Sequence, residues 1–197
     1  MRSNSSTTSR TPPPARSARR TCANGSRITR LADVIVRTAA ADDAAAVQAI
    51  YGFHVEHGTA TFDTVPPDEA FWRDKIAAVD ARGWPFLVVE HRGAVAGYAY
   101  ATQFRDRAAY AHTCENSIYI ADGLRGAGLG TQLLGALVAA ARASGFEQMI
   151  AVIGGGEPAS VALHGKLGFA HAGRLGGVGY KFGRKLDTVY MQRALDR

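Results

Sequence analysis

Between a β-rich run and an amphipathic run the chain reads RGAGLG, residues 125–130. The segment before it, TCENSIYIA (113–121), reads as a strand, and the segment after it, GLGTQLLGALVAAARASG, reads as a helix stopped by Gly145. Three glycines in five residues, Gly126, Gly128 and Gly130, at the mouth of a helix need a reason, because glycine weakens helices. The order strand, glycine turn, helix is the usual geometry of a phosphate site. The first N–H groups of a helix lack intrahelical partners, and the helix dipole favours an anion there. Arg125 adds a charge-assisted donor. Two nucleotide patterns fail: GxxxxGK[ST] is absent, and the third position of GxGxxG is Thr131. From these residues alone, a glycine-rich connection without a ligand stays open.

The rest of the chain sets the fold class. VIVRTAA (34–40) reads as a strand and ADDAAAVQAIYGFHVEH (41–57) as a helix, with Asp42 or Asp43 to cap it. PPDEAFWRDKIAAVDARG opens with prolines and acids and closes on glycine, a second helix. WPFLVVEHRGAVAGYAYATQF is a hairpin turning at Arg92–Gly93. FEQMIAVIG (146–154) is a buried strand, PASVALHGKLGF a short helix, and the remainder is β-rich. The order βααβββαβαββ predicts an α/β (α+β) domain with one mixed sheet and helices on both faces. Gly176, Gly177, Gly179 and Gly183 make the segment after 175 loop-like, a candidate substrate-facing loop.

Charge narrows the function classes. The net charge is +6, but residues 1–33 carry seven arginines and one acid, so residues 34–197 are neutral overall. The folded part therefore has no basic excess to hold a polyanion. The segment 1–33, rich in Ser, Thr, Pro and Arg, is expected to be a disordered basic tail. Arg19–Arg20 has no apolar segment behind it, which argues against a twin-arginine export signal. A transit peptide, an over-long start and a nucleic-acid-binding arm are the remaining readings of the tail. The domain is expected to span 34–197. No run of 18 apolar residues is present. Cys22 and Cys114 share no metal-like spacing, which suits a reduced, cytoplasmic protein. His54, His57, His91, His112 and His171 show no ligand spacing either, and no metal is expected.

RGAGLG also fits the R-x-x-G-x-G/A signature of the GCN5-related N-acetyltransferase (GNAT) superfamily. The segments GTATFDTVPP, VAGYAYATQFRDRAAYAHTCENSIYI, GFEQMIAVIG, SVALHGKLGF and GYKFGRKLDTVYMQRAL resemble its phosphinothricin and methionine-sulfoximine acetyltransferase branch. The likeness runs from about residue 34 to 195 and leaves out the tail. It implies the GNAT fold, a mostly antiparallel central sheet, acetyl-CoA as co-substrate and a homodimer. It implies that the turn Arg125, Gly126, Ala127, Gly128, Leu129, Gly130 and Thr131 binds the pyrophosphate. Ile118, Tyr119 and Ile120, and Ser160 on the following helix, would hold the rest of the cofactor.

Acetylating an amine requires removal of a proton from the ammonium, polarisation of the thioester carbonyl and stabilisation of the leaving thiolate. Glu115, at the start of the strand leading into the turn, matches the branch's general base. His164 stands where many members have a tyrosine that protonates the thiolate, and imidazole titrates near neutrality. Glu157 replaces the usual asparagine of that motif and puts one cofactor contact in doubt. Arg105 and Arg107, two apart, share a face if the chain is extended there, and resemblance sets them against an anionic group of the acceptor. Phe62, Tyr110 and Tyr119 are candidate pocket walls. The expected activity is direct acetyl transfer to the α-amino group of a small amino acid analogue, with no membrane or nucleic-acid partner. Cys114 faces away from Glu115 on a regular strand and is no acyl carrier. Rival readings are another amine (a protein N-terminus, a polyamine or an aminoglycoside) and a non-catalytic acetyl-CoA-binding module.

Overall fold

The computed structural model describes residues 33–195 together with Met1. The expected tail, apart from Met1 and Asp33, and with it Cys22, lies outside the described residues. Seven strands and four helices follow in the order read from the sequence. They are β1 (Val34–Thr38), α1 (Ala44–His57), α2 (Glu69–Asp80), β2 (Phe86–His91), β3 (Ala94–Gln103), β4 (Thr113–Ile120), α3 (Leu129–Ala143), β5 (Gln148–Gly154), α4 (Pro158–Lys166), β6 (Ala170–Lys181) and β7 (Arg184–Ala194).

One sheet holds all seven strands in the order β1-β2-β3-β4-β5-β7-β6. Every pairing is antiparallel except β4 with β5. Period-two alternation sorts the side chains to two cores. Val89, Ala99, Cys114 and Ala151 face α3, whose Leu133, Leu134 and Leu137 are fully buried. Each such leucine contributes about 1.5–3 kcal/mol relative to exposure. On the other face Phe86, Val88 and Tyr98 pack against Val47, Ile50, Trp72 and Ile76 of α1 and α2. Helices thus cover both faces, as GNAT resemblance implies.

The hairpin at Arg92–Gly93 turns through positive φ at both residues, 55° and 79°, the form whose twist suits paired strands. Asp43 differs from expectation. Its carboxylate makes no cap on α1; it accepts from Ala40 N at 2.7 Å and from Arg37 instead. The segment after 175 is also not a loop. It continues β6, with the register slipping between Leu175 and Gly179. The glycines there serve a bulge, and at Gly179 any Cβ would collide with the Phe62 ring.

Candidate active site

The parallel strands β4 and β5 pair only from Thr113–Gln148 to Asn116–Ala151. Beyond that point β4 stays on β3 up to Ile120, and β5 stays on β7 up to Gly154. The two strands therefore part, and the β5-facing backbone of residues 117–120 has no strand partner among the described residues. A cleft of about 900 Å³ fills the parting and reaches from the glycine turn to Glu115.

The turn forms one end of the cleft. Gly126 and Gly128 have φ of 79° and 83°, and the space where each would carry a Cβ is open. Gly128 is the N-cap of α3, and the first backbone bonds of the helix run from Thr131 N and Gln132 N to its carbonyl. Among the described residues the N–H groups of residues 125–130 find no backbone acceptor. Several donors converge on empty space at a positive helix end, a ready anion site. Gly130 meets a further need: a Cβ there would come within 3.2 Å of Leu163 Cδ2, where α4 packs.

Glu115 lies at the other end, on the face shared with α1 and α2, and lines the cleft. Burial pushes its carboxyl pKa up, while Arg105 and Lys75 pull it part of the way back. Lys75, on α2, stands 5.1 Å from the centre of the Tyr100 ring. Cys114, next to Glu115 in sequence, is fully buried on the opposite face with its thiol pushed up to about 12 by burial. That thiol is inert at neutral pH.

One side of the cleft is walled by the loop after α1, and three ties fix that loop. Thr59 Oγ1 donates to Glu157 at the start of α4. Lys181 Nζ donates to Gly58 O and Thr61 O, both at 3.0 Å. The Tyr51 hydroxyl donates to Asp63 at 2.7 Å and also meets Thr61 Oγ1 at 2.7 Å. Glu157 is thereby engaged with Thr59 and is no loose carboxylate in the cleft.

His164 is buried on α4, with 1% of its surface exposed. Its Nδ1 is 2.8 Å from Ser160 O, and a carbonyl can only accept, so Nδ1 carries the proton. Burial lowers the ring's pKa and keeps it neutral. Nε2 is then a lone pair facing Asn116, 3.2 Å away. The Asn116 atom at that distance is Oδ1, while its buried Nδ2 has no partner; exchanging the two amide atoms lets Nδ2 donate to Nε2 and satisfies both groups.

The acetyltransferase (GNAT) domain family matches residues 36–190. The chain belongs to the GNAT acetyltransferase family. Phosphinothricin N-acetyltransferase of Alcaligenes faecalis is 48% identical to it over 162 residues, covering 82% of this chain and 82% of that protein. The L-methionine sulfoximine/L-methionine sulfone acetyltransferase of Pseudomonas paraeruginosa is 42% identical over 165 residues, covering 82% of this chain and 94% of that protein. Among solved structures, a GNAT phosphinothricin acetyltransferase from Sinorhizobium meliloti in complex with acetyl-CoA superposes with a TM-score of 0.80 at 45% identity, over 82% of this chain and 88% of that one. The protein is an N-acetyltransferase.

In this GNAT domain the cleft brings together Glu115, His164, Ile118, Tyr119, Ile120, Arg125, Gly126, Gly128, Gly130, Thr131, Ser160 and Phe62. Ala127 and Leu129 turn their side chains into the core, so only their backbone can serve the turn. Arg105, Arg107 and Tyr110 do not line the cleft. The chain bends through 104–107 and enters a short 3₁₀ turn at Ala108–Tyr110, so the shared face expected of an extended strand does not form. Arg105 instead lies 4.5 Å over the Phe104 ring, and Tyr110 packs edge-on against the same ring. Sequence reasoning missed Asn116, Lys75, Thr59 and Lys181, and saw His54 only as a histidine without ligand spacing. The one available signal was a histidine inside the apolar stripe Val47, Ile50, Tyr51 of α1. Among the described residues, no cluster of three metal-ligating side chains occurs and no helix is long and apolar enough to cross a membrane.

Proposed function

We propose that this protein transfers the acetyl group of acetyl-CoA directly to the α-amino group of a small amino acid analogue of the phosphinothricin or methionine sulfoximine/sulfone type. The observation that carries the reading is the parting of β4 from β5, with the glycine turn at one end and half-buried Glu115 at the other. The residues present fit the co-substrate. Unpartnered N–H groups and Arg125 suit a pyrophosphate, and the backbone edge at Ile118, which no strand pairs among the described residues, suits an extended amide-bearing arm. Acetyl-CoA, when bound, supplies a thioester whose carbonyl a neutral amine can attack.

Glu115 accepts the proton of the α-ammonium, directly or through one water, and holds it on a carboxylate oxygen. Its raised pKa brings it nearer to the operating pH, which suits a general base. His164 lines the cleft on the thiol side, with Nδ1 committed to Ser160 O and Nε2 facing Asn116. Ser160 and Asn116 hold that ring. Phe62 and Tyr119 wall the acceptor, and Arg105, whose charge acts on Glu115 from outside the cleft, favours an anionic acceptor over a polyamine or an aminoglycoside. The engagement of Glu157 by Thr59 removes the feature that favoured a non-catalytic module.

The names of the relatives support the acceptor class. Acetylating such analogues blocks their amine and would confer resistance to them. A reduced, cytoplasmic setting is supported by the free Cys114 thiol. A homodimer is supported by Leu175, Val178, Tyr180 and Phe182, all exposed along the edge strand β6 or just beyond its end. Sedimentation should give twice the chain mass, reduced to one by Val178→Lys with Tyr180→Lys. Turnover is tested by thiol release from acetyl-CoA with a panel of amino acids and other amines. Release with methionine sulfone and phosphinothricin is expected. Absence of release with every amine, at high enzyme and with cofactor bound, would sink the enzymatic reading.

A further inference from the structure

His54 is 5% exposed, lines the cleft and lies outside the set of residues just assigned to the reaction. Its hydrogen bonds fix its chemistry. Nε2 is 2.9 Å from Ile120 O, and the carbonyl can only accept, so Nε2 carries the proton. Nδ1 is left as a lone pair, and an Arg125 Nη2–H donates to it over 3.4 Å. The ring is held on every side. The Tyr119 ring lies 5.2 Å away, the Phe53 ring 5.9 Å away, and a Cβ at Gly58 would come within 3.7 Å of Nδ1.

Arg125 is an exposed arginine at the turn, with no carboxylate within ion-pair distance among the described residues. Left free, such a side chain must give up much of its rotamer freedom on meeting an anion. We propose that His54 is a positioning residue that holds the Arg125 guanidinium across the mouth of the glycine turn, ready for a phosphate. This rests on the acetyl-CoA reading above. It also makes the anchor sensitive to acid. A proton on Nδ1 removes the acceptor and sets two cations face to face. The groups around the ring are Tyr119 and the Ile120 carbonyl from β4, Asp122 and Arg125 from the turn, and Glu157 from the start of α4. Burial is the largest influence and lowers the ring's pKa, the nearby Arg125 charge lowers it further, and Ile120, Asp122 and Glu157 oppose them. The sign follows: the anchor is complete at neutral pH and is lost as the pH falls through a value below the ordinary histidine range.

The test is calorimetric titration of the full chain with coenzyme A at about pH 7.5 and about pH 5.5. His54→Ala should weaken binding about fivefold at the higher pH and have no further effect in an Arg125→Ala background. His54→Gln, whose amide can both donate to Ile120 O and accept from Arg125, should restore affinity and lose the extra weakening at low pH that the wild type shows. Equal CoA affinity in wild type and His54→Ala, or additive losses in the double variant, would overturn the proposal. If His54→Ala fails to fold, His54→Gln decides through its pH response: an acid dip equal to the wild type's counts against it. Failure of the wild type to bind coenzyme A at all would overturn the reading of the site itself.

Discussion

Glu115 and His164 both line the cleft and are both titratable, yet their surroundings differ: Glu115 is half-buried and His164 is buried. Glu115 lies beside two cations, Lys75 and Arg105, which keep a desolvated carboxyl from rising further. A raised pKa of this kind suits a group that takes a proton from an ammonium. Glu115→Gln should lower kcat by about 10²–10⁴-fold with little change in the KM for acetyl-CoA. The wild-type rate should fall on acidification through a pKa above the ordinary glutamate value, and the variant should lack that limb; a pH–rate profile checks both. His164 is locked by Ser160 and Asn116 into one tautomer. Glu115 was legible because one strand with known alternation carries it toward the turn. Asn116 was not: its value comes from an orphaned amide nitrogen beside a ring 48 positions later in the chain. Sequence spacing carries no trace of such a pairing.

At the scale of elements, the glycine turn is the most demanding piece. Gly128 holds φ of 83° at the start of α3, with open space where a side chain would project. Gly128→Ala should cost about 1–2 kcal/mol of stability through backbone strain alone. It should raise the KM for acetyl-CoA more than that of the amine, because the new methyl enters the phosphate space; paired thermal melts and kinetics separate the two effects. The order of elements was legible throughout because each has its own period, cap or turn: Asp68 accepts from Phe71 N to start α2, and Arg92–Gly93 closes β2 onto β3. Strand β6 was not. Gly176, Gly177 and Gly179 read as a loop, but β7 supplies the ladder that local propensity lacks. The segment 104–110 failed the other way, since two arginines at alternate positions do not by themselves make an extended chain.

For the whole molecule, the decisive feature is how the acceptor wall is tied together. Lys181 is 5% exposed and donates to two loop carbonyls, Gly58 O and Thr61 O, across 123 and 120 positions of sequence. Its ammonium pKa is lowered by burial and partly restored by Asp63. Lys181→Met should leave both carbonyls unpaired, cost about 1–3 kcal/mol, and raise the KM for the amine while CoA binding stays intact; a melt with a parallel CoA titration reads this. The tie also sets an order of assembly during synthesis. The glycine turn, α1 and β4 leave the ribosome well before Lys181 and β7. A nascent chain that has already made the turn, α1 and β4 still lacks Lys181, whose bonds to Gly58 O and Thr61 O fix the loop after α1, and β7, the strand that fills the sheet between β5 and β6. The loop and the sheet beside it are therefore closed last, by the final hairpin of the chain.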